Sequence, residues 1–204
     1  MSTDVRTVLL TGGIGSGKSA VRKILTEMGI PCFDADSAVK SYYKDAGEGP
    51  CLLPEIERIA GGGIRKADGT FDKKAFAGII FSEHEKLRQV ERLVFPVLAQ
   101  DFIEWRDRSA SEGHKTVVLE SATALDKPDF PVLWDSCVWV EAPVGLRIKR
   151  VMERDKCSRE AVTDRMALQK DLSGHDGRID HILVNDGNFS KLRADTISIF
   201  HIEA

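Results

Sequence analysis

Gly12-Gly13-Ile14-Gly15-Ser16-Gly17-Lys18-Ser19 satisfies the pattern G-x-x-x-x-G-K-[ST] in full, and no other stretch constrains the fold of this chain as tightly. Glycines let the backbone curl so that successive N–H groups point inward at phosphate oxygens, and a following helix directs the positive end of its dipole at the same place. Such a loop needs a strand before it and a helix after it, and the sequence supplies both. Val8, Leu9 and Leu10 form the short apolar run expected of a strand buried on both faces of a parallel sheet. Beyond the loop, Val21, Ile24, Leu25 and Met28 fall at the i, i+3, i+4, i+7 spacing of one helical face, and Gly29 stands where that helix would stop. Ile30 to Phe33 reads as a second short strand.

Three later segments repeat the strand signal between helical stretches: Thr116 to Leu119, Cys137 to Val140 and Ile182 to Val184. This alternation predicts an α/β protein, a three-layer core around a parallel sheet. Residues 1–45 and 114–204 are expected to form that nucleotide-binding core, with a helical lid at about 145–178. The lid reading rests on a basic run that includes Arg147, Lys149, Arg150, Arg154, Lys156, Arg159 and Arg165; a solvated helical surface is the plainer alternative. Residues 46–113 break the rhythm and read as an inserted, mostly helical substrate subdomain. Within it, Gly61, Gly62 and Gly63 mark a loop. Ser82 with Glu85 reads as a capping box, and Leu87, Val90, Val94, Val97 and Leu98 as an apolar helical face. Pro96 predicts a kink or a break into two helices near Phe95, because proline in an unrelieved helix interior costs about 3 kcal/mol.

The chemistry follows from the loop. Gly13, Ile14, Gly15, Ser16 and Gly17 would offer backbone N–H groups to the phosphates of ATP. Lys18 would set its ammonium on the β- and γ-phosphates, and Ser19 would supply a hydroxyl to Mg²⁺. Asp34-Ala35-Asp36 follows the second strand; in an extended backbone both carboxylates share one side, near the sheet edge that faces ligands. A carboxylate there can bind Mg²⁺ or take the proton of an attacking hydroxyl, with a helix cap as the structural alternative. Phosphoryl transfer through a loose transition state asks the protein for alignment and for positive charge on the equatorial oxygens. Arg150 and Arg154, at i, i+4, are expected to reach the phosphates together, Arg150 carrying the main role. Glu120, at the end of the third strand, stands open between an Mg²⁺- or water-orienting acid and a structural one.

Other classes of function find less support. Lysine and arginine total 29 against 32 acidic residues, a formal charge of −3, so no global field favours nucleic acid. The polar stretch Met1 to Thr7 and the lack of about 18 consecutive apolar residues give neither a signal peptide nor a membrane span. Cys32, Cys51, Cys137 and Cys157 form no C-x-x-C pair, and the five histidines have no metal-ligand spacing, which points to a reduced, cytoplasmic setting. Trp105, Trp134 and Trp139 read as core or rim.

At the level of Leu10 to Ser19 and Asp34-Ala35-Asp36, the chain resembles the dephospho-coenzyme A kinases, which phosphorylate the ribose 3'-hydroxyl with ATP to complete coenzyme A. The resemblance extends to Ala67-Asp68-Gly69-Thr70, Ile80-Phe81, the segment Arg150 to Asp155, Gln169 and Asn185-Asp186-Gly187. It implies that Asp36 is the base, that Lys18 and Arg150 act on the phosphates, that Asn185 and Gly187 border adenine, and that the insert binds coenzyme A. Two departures fall on the acceptor side. Phe95-Pro96 stands where the family usually has His-Pro, and Ala122 to Asp126 stands in place of a Pro-Leu-Leu-Phe-Glu block. Phe95 and Asp126 are thereby candidate substrate-binding residues. ATP, Mg²⁺ and dephospho-coenzyme A are the expected small molecules, acting on a monomer or weak homo-oligomer. The remaining alternatives are a kinase for another nucleotide-like or sugar-like hydroxyl, and a non-catalytic nucleotide-binding switch.

Overall fold

The computed structural model describes residues 5–44, 50–169 and 177–200. The chain divides into two compact units, one of Met1–Asp34, Trp105–Pro128 and Val132–Ala204, the other of Ala35–Glu104 and Asp129–Pro131. The division thus falls at 34/35 and 104/105, whereas the sequence places the insert at 46–113.

The first unit is built on five parallel strands, β1 (Arg6–Thr11), β2 (Cys32–Asp34), β3 (Thr116–Glu120), β4 (Ser136–Glu141) and β5 (His181–Val184), in the order β2-β3-β1-β4-β5. β1 lies at the centre, with Val8 paired to Val118 on one side and to Ser136 on the other. Its Val8, Leu9 and Leu10 are buried, as a strand covered on both faces requires. On one face, Val8, Leu10, Val118, Val138 and Val140 pack against Val21, Ile24 and Leu25 of α1 (Lys18–Glu27) and against Leu192 and Phe200 of the last helix, Phe189–Phe200. Full burial of each such aliphatic side chain contributes about 1.5–3 kcal/mol, so this seam sets α1, and with it the start of the loop, firmly on the sheet.

The α1 helix ends as its sequence predicts. Gly29, at φ 79°, donates to Thr26 O (3.0 Å) while Ile30 N–H reaches Leu25 O (2.9 Å), the paired bonds of a left-handed glycine stop.

The second unit is helical: α2 (Ala35–Ser41), α3 (Leu53–Ala60), α4 (Lys73–Ser82) and the greater part of α5 (His84–Ser111). Asp72 caps α4, accepting from Lys74 and Ala75 N–H. Two expectations fail here. Ser82 opens no helix: it is the last residue of α4, its hydroxyl donates to Ile79 O (2.9 Å), and α5 begins at His84. Nor does Pro96 divide a helix. α5 runs unbroken through it for 28 residues, because burial of Val90, Val94, Leu98 and Phe102 on both sides of the proline outweighs the lost hydrogen bond.

Two helices of the first unit, α6 (Val144–Asp155) and α7 (Arg159–Ala167), carry the basic run. They join through Ile148, Val151 and Val162, against which Ile14 of the phosphate loop also packs, so α6 is no merely solvated surface. Part of the expected lid, residues 170–176, lies outside the described residues. No described helix is long and apolar enough to cross a membrane.

Candidate active site

The loop leaves the C-terminal end of β1 and closes onto the N-terminus of α1, where Gly17 sits at φ 98° with no side-chain cap on the helix. The first amides of α1 therefore keep their donors for an anion. Ser16 N–H donates to Gly13 O (3.1 Å), and Lys18 arches back so that Nζ donates to Gly12 O (2.7 Å). Ser16 Oγ is sealed from solvent without a hydrogen-bond partner among the described residues, a donor that a phosphate oxygen would satisfy. Ser19, one residue into α1, is exposed. A hydroxyl beside substrate phosphates is the kind of sparse oxygen donor set that Mg²⁺ takes.

The loop is gripped by residues far along the chain. Arg147 Nε donates to Ile14 O (2.9 Å), and Gln169 Oε1 accepts from Ile14 N–H (2.6 Å), so one peptide unit is held from both ends. Arg150 directs NH1 at Gly15 O (3.4 Å), Ser16 O (3.2 Å) and Asn185 O (3.5 Å), and NH2 at Asn185 Oδ1 (3.0 Å). Asn185 is buried and gives its Nδ2 to Ser16 O (2.9 Å). Its side chain is thus committed to the loop and to Arg150, while Gly187 follows at φ 107°. Between them, Arg147 and Arg150 place two guanidinium groups beside the phosphate cradle.

A β-carbon at Gly17 would run into Asn185 Nδ2, in a backbone conformation that L residues rarely adopt. Gly17→Ala is accordingly expected to destabilise the protein by about 1–3 kcal/mol in urea unfolding and to abolish the rise in Tm that ATP gives the wild type. An ATP-induced shift of wild-type size would show that the loop tolerates the change.

The expectation that Arg150 and Arg154 reach the loop together is corrected. Arg154 lies in the last turn of α6, where its guanidinium pairs with Asp155 (Nε to Oδ1 2.7 Å) and is 61% exposed. Arg165 takes the other oxygen of Asp155 (2.6 Å), and the two arginines hold that carboxyl well below the usual carboxylate range. The partner of Arg150 at the loop is Arg147, three residues before it. Helical periodicity offered this residue as readily as Arg154, since i, i+3 and i, i+4 neighbours share a face. Gln169 had no local signal beyond the resemblance.

The carboxylates after β2 also differ from expectation. The strand ends at Asp34 and α2 begins at Ala35, so the backbone does not stay extended through Asp36. Asp34 binds Arg22 of α1 (2.6 Å), whose Nε also meets Glu120 Oε2 (3.2 Å) at the end of β3. Burial works against the Arg22 charge, yet Glu120 and Asp34 outweigh it and raise its pKa. Asp34 and Glu120 therefore belong to a structural ion-pair cluster. Asp36 lies in the first turn of α2, in the other unit, where the helix dipole favours its negative charge.

On the expected acceptor side, the Phe95 ring of α5 packs against Phe130 (centroids 5.2 Å, 59°), and with Arg92, Pro96 and Asp129 it lines a small cavity of about 260 Å³ in the second unit. Asp126 is half-buried in the first unit, in the turn after β3 that its N–H closes to Thr123 O (2.9 Å).

A family model described as dephospho-CoA kinase (CoaE) matches residues 6–191. The dephospho-CoA kinase of Chlorobaculum tepidum is 33% identical over 195 residues, which cover 94% of this chain and 91% of the relative. That of Leptospira interrogans is 34% identical over 191 residues, covering 94% and 89%. Among solved structures, a Thermus thermophilus protein of 26% identity superposes with a TM-score of 0.81 over 98% of this chain and 99% of its own. A dephospho-CoA kinase from Campylobacter jejuni shares the fold at 22% identity, with a TM-score of 0.60 and 97% coverage of both chains.

Proposed function

Because the chain belongs to the dephospho-coenzyme A kinase family, whose members are ATP- and Mg²⁺-dependent phosphotransferases, we propose that Asp36 serves as the base for transfer of the γ-phosphoryl group of ATP to the ribose 3'-hydroxyl of dephospho-coenzyme A. The observation that carries this reading is the pair of guanidinium groups, Arg147 and Arg150, fixed against the backbone of Ile14, Gly15 and Ser16. A loop that only bound nucleotide would need no second cationic wall; a site that offsets charge on a moving phosphoryl group does.

In this mechanism the amides of Gly13 to Ser19 cradle the β-phosphate, and Lys18 turns its ammonium from Gly12 O to the β- and γ-phosphates. Asp36 accepts the 3'-hydroxyl proton as the oxygen bonds to the γ-phosphorus and the bridge to the β-phosphate breaks, giving coenzyme A and ADP; the proton then leaves Asp36 for solvent. Arg150 holds its charge on the equatorial oxygens throughout. Ser19, and with it Asp36 where the proton is not yet taken, is the protein's contribution to Mg²⁺, which when bound neutralises charge on the bridging and terminal oxygens. The substrates are two soluble small molecules, met in the cytoplasm by a monomer or weak homo-oligomer.

The test is ADP release from purified protein across a panel of hydroxyl acceptors. Strong stimulation by dephospho-coenzyme A is expected. Stimulation by a different hydroxyl compound and none by dephospho-coenzyme A would overturn the assignment. On the acceptor side, Phe95→His should keep the ring contact with Phe130 and change the acceptor KM several-fold with the KM for ATP nearly constant; steady-state kinetics with both substrates varied will read this. A shift confined to ATP would remove Phe95 from the acceptor site.

A further inference from the structure

The helical unit Ala35–Glu104 contains a cavity of about 640 Å³, within the size range of small-molecule sites. Its floor is aromatic. Tyr43, Phe71 and Phe76 pack edge against face, with centroids 5.1, 5.3 and 5.6 Å apart, and Ala77 and Ile80 extend the apolar surface. Its rim is basic, with Lys40 and Lys44 from α2 and the turn after it, and Lys66 and Lys73 from the segment between α3 and α4. The two acids of that segment are committed to backbone groups, Asp68 to Thr70 N–H (2.9 Å) and Asp72 to Lys74 and Ala75 N–H. Burial pushes the Tyr43 phenol up to about 12, so it stays a neutral hydroxyl.

Four like charges around an apolar floor repel one another and favour an anion with a neutral, partly apolar tail. Geometry within α2 identifies it further. Asp36 and Lys40 stand at i, i+4 on that helix, about 6 Å apart along one face. A substrate whose ribose hydroxyl meets Asp36 therefore presents its 5'-diphosphate, one sugar away, to Lys40 at the cavity rim.

We infer that this cavity is the subsite for the phosphopantetheine arm of the acceptor: the lysine rim holds the diphosphate and the Tyr43, Phe71 and Phe76 floor holds the pantetheine chain. The inference rests on the proposed reaction, since it takes Asp36 as the group that meets the ribose. It also accounts for affinity in a site whose chemistry touches only the far end of the substrate, because binding energy from the non-reacting arm positions the hydroxyl.

The full-length protein is titrated calorimetrically with 4'-phosphopantetheine, with dephospho-coenzyme A and with ATP. The wild type should bind 4'-phosphopantetheine. Ala77→Trp, which fills the floor, and Lys40→Ala, which removes an exposed rim charge, should each weaken it and dephospho-coenzyme A by about tenfold while the Kd for ATP stays within about twofold. The inference is overturned if 4'-phosphopantetheine fails to bind a wild type that binds dephospho-coenzyme A. It is equally overturned if both variants bind the arm as the wild type does, or if Lys40→Ala weakens all three ligands alike. Failure of the reaction itself reads out separately, as absent ADP release from wild-type protein that still binds 4'-phosphopantetheine.

Discussion

Asp36→Asn is expected to lower kcat with dephospho-coenzyme A by about 10²-fold or more, with little change in the KM for either substrate. Asparagine keeps the shape of the side chain and can remain in the first turn of α2, so the protein should unfold in urea close to the wild-type midpoint. What it loses is the capacity to take a proton as the 3'-oxygen bonds to phosphorus. A transition state that is loose leaves much of the charge on the transferring group, so the loss should fall short of complete inactivity. The acid limb of the kcat against pH profile, where the wild-type carboxylate becomes protonated and rate is lost as pH falls, should vanish in the variant. An unchanged kcat would remove Asp36 as the base.

Arg150→Lys should be nearly as damaging, with kcat/KM for ATP down by about 10²-fold, although it preserves the charge. The guanidinium of Arg150 spans from the carbonyls of Gly15 and Ser16 to both oxygens of Asn185. A lysine ammonium is a point charge that cannot make this fork, so it would leave Asn185 Oδ1 without its donor and the loop without one brace. Arg154→Lys provides the contrast: its guanidinium is turned to Asp155 and exposed, and the activity should remain within about twofold of wild type. Retention of more than a tenth of the activity in Arg150→Lys would show that charge alone suffices at this position.

These two residues also mark how far the sequence could be read. β1, the glycine loop and α1 were legible because everything that defines them is local: an apolar run, four glycines, an i, i+3, i+4, i+7 face and a glycine stop. The four later strands were found for the same reason, their ends shifting by one or two residues where pairing with neighbours extends the ladder, as at Glu120 opposite Asp34. Readings failed where a local signal competed with packing or with an adjacent charge. Ser82 and Glu85 have capping-box spacing, yet α4 continues to Ser82 and uses its hydroxyl as a last-turn donor. Pro96 carries a helix-breaking signal that buried side chains on both sides override. Arg154 has the right spacing from Arg150, but the neighbouring Asp155 captures it. Arg147 and Gln169 act on a loop more than a hundred positions away, and no periodicity records that.

The same distances bear on when the loop becomes complete. Its glycines are made among the first twenty residues, but Arg147 and Arg150, Gln169 and Asn185 brace it from the far end of the chain. During synthesis the nascent chain therefore carries the motif long before it carries the supports, and loop closure over such separations is the slow, entropically costly part of assembling an α/β sheet. Nucleotide affinity should consequently appear late, once β5 and Asn185 have left the ribosome and joined the edge of the sheet, so the earliest-made motif is among the last parts of the protein to become functional.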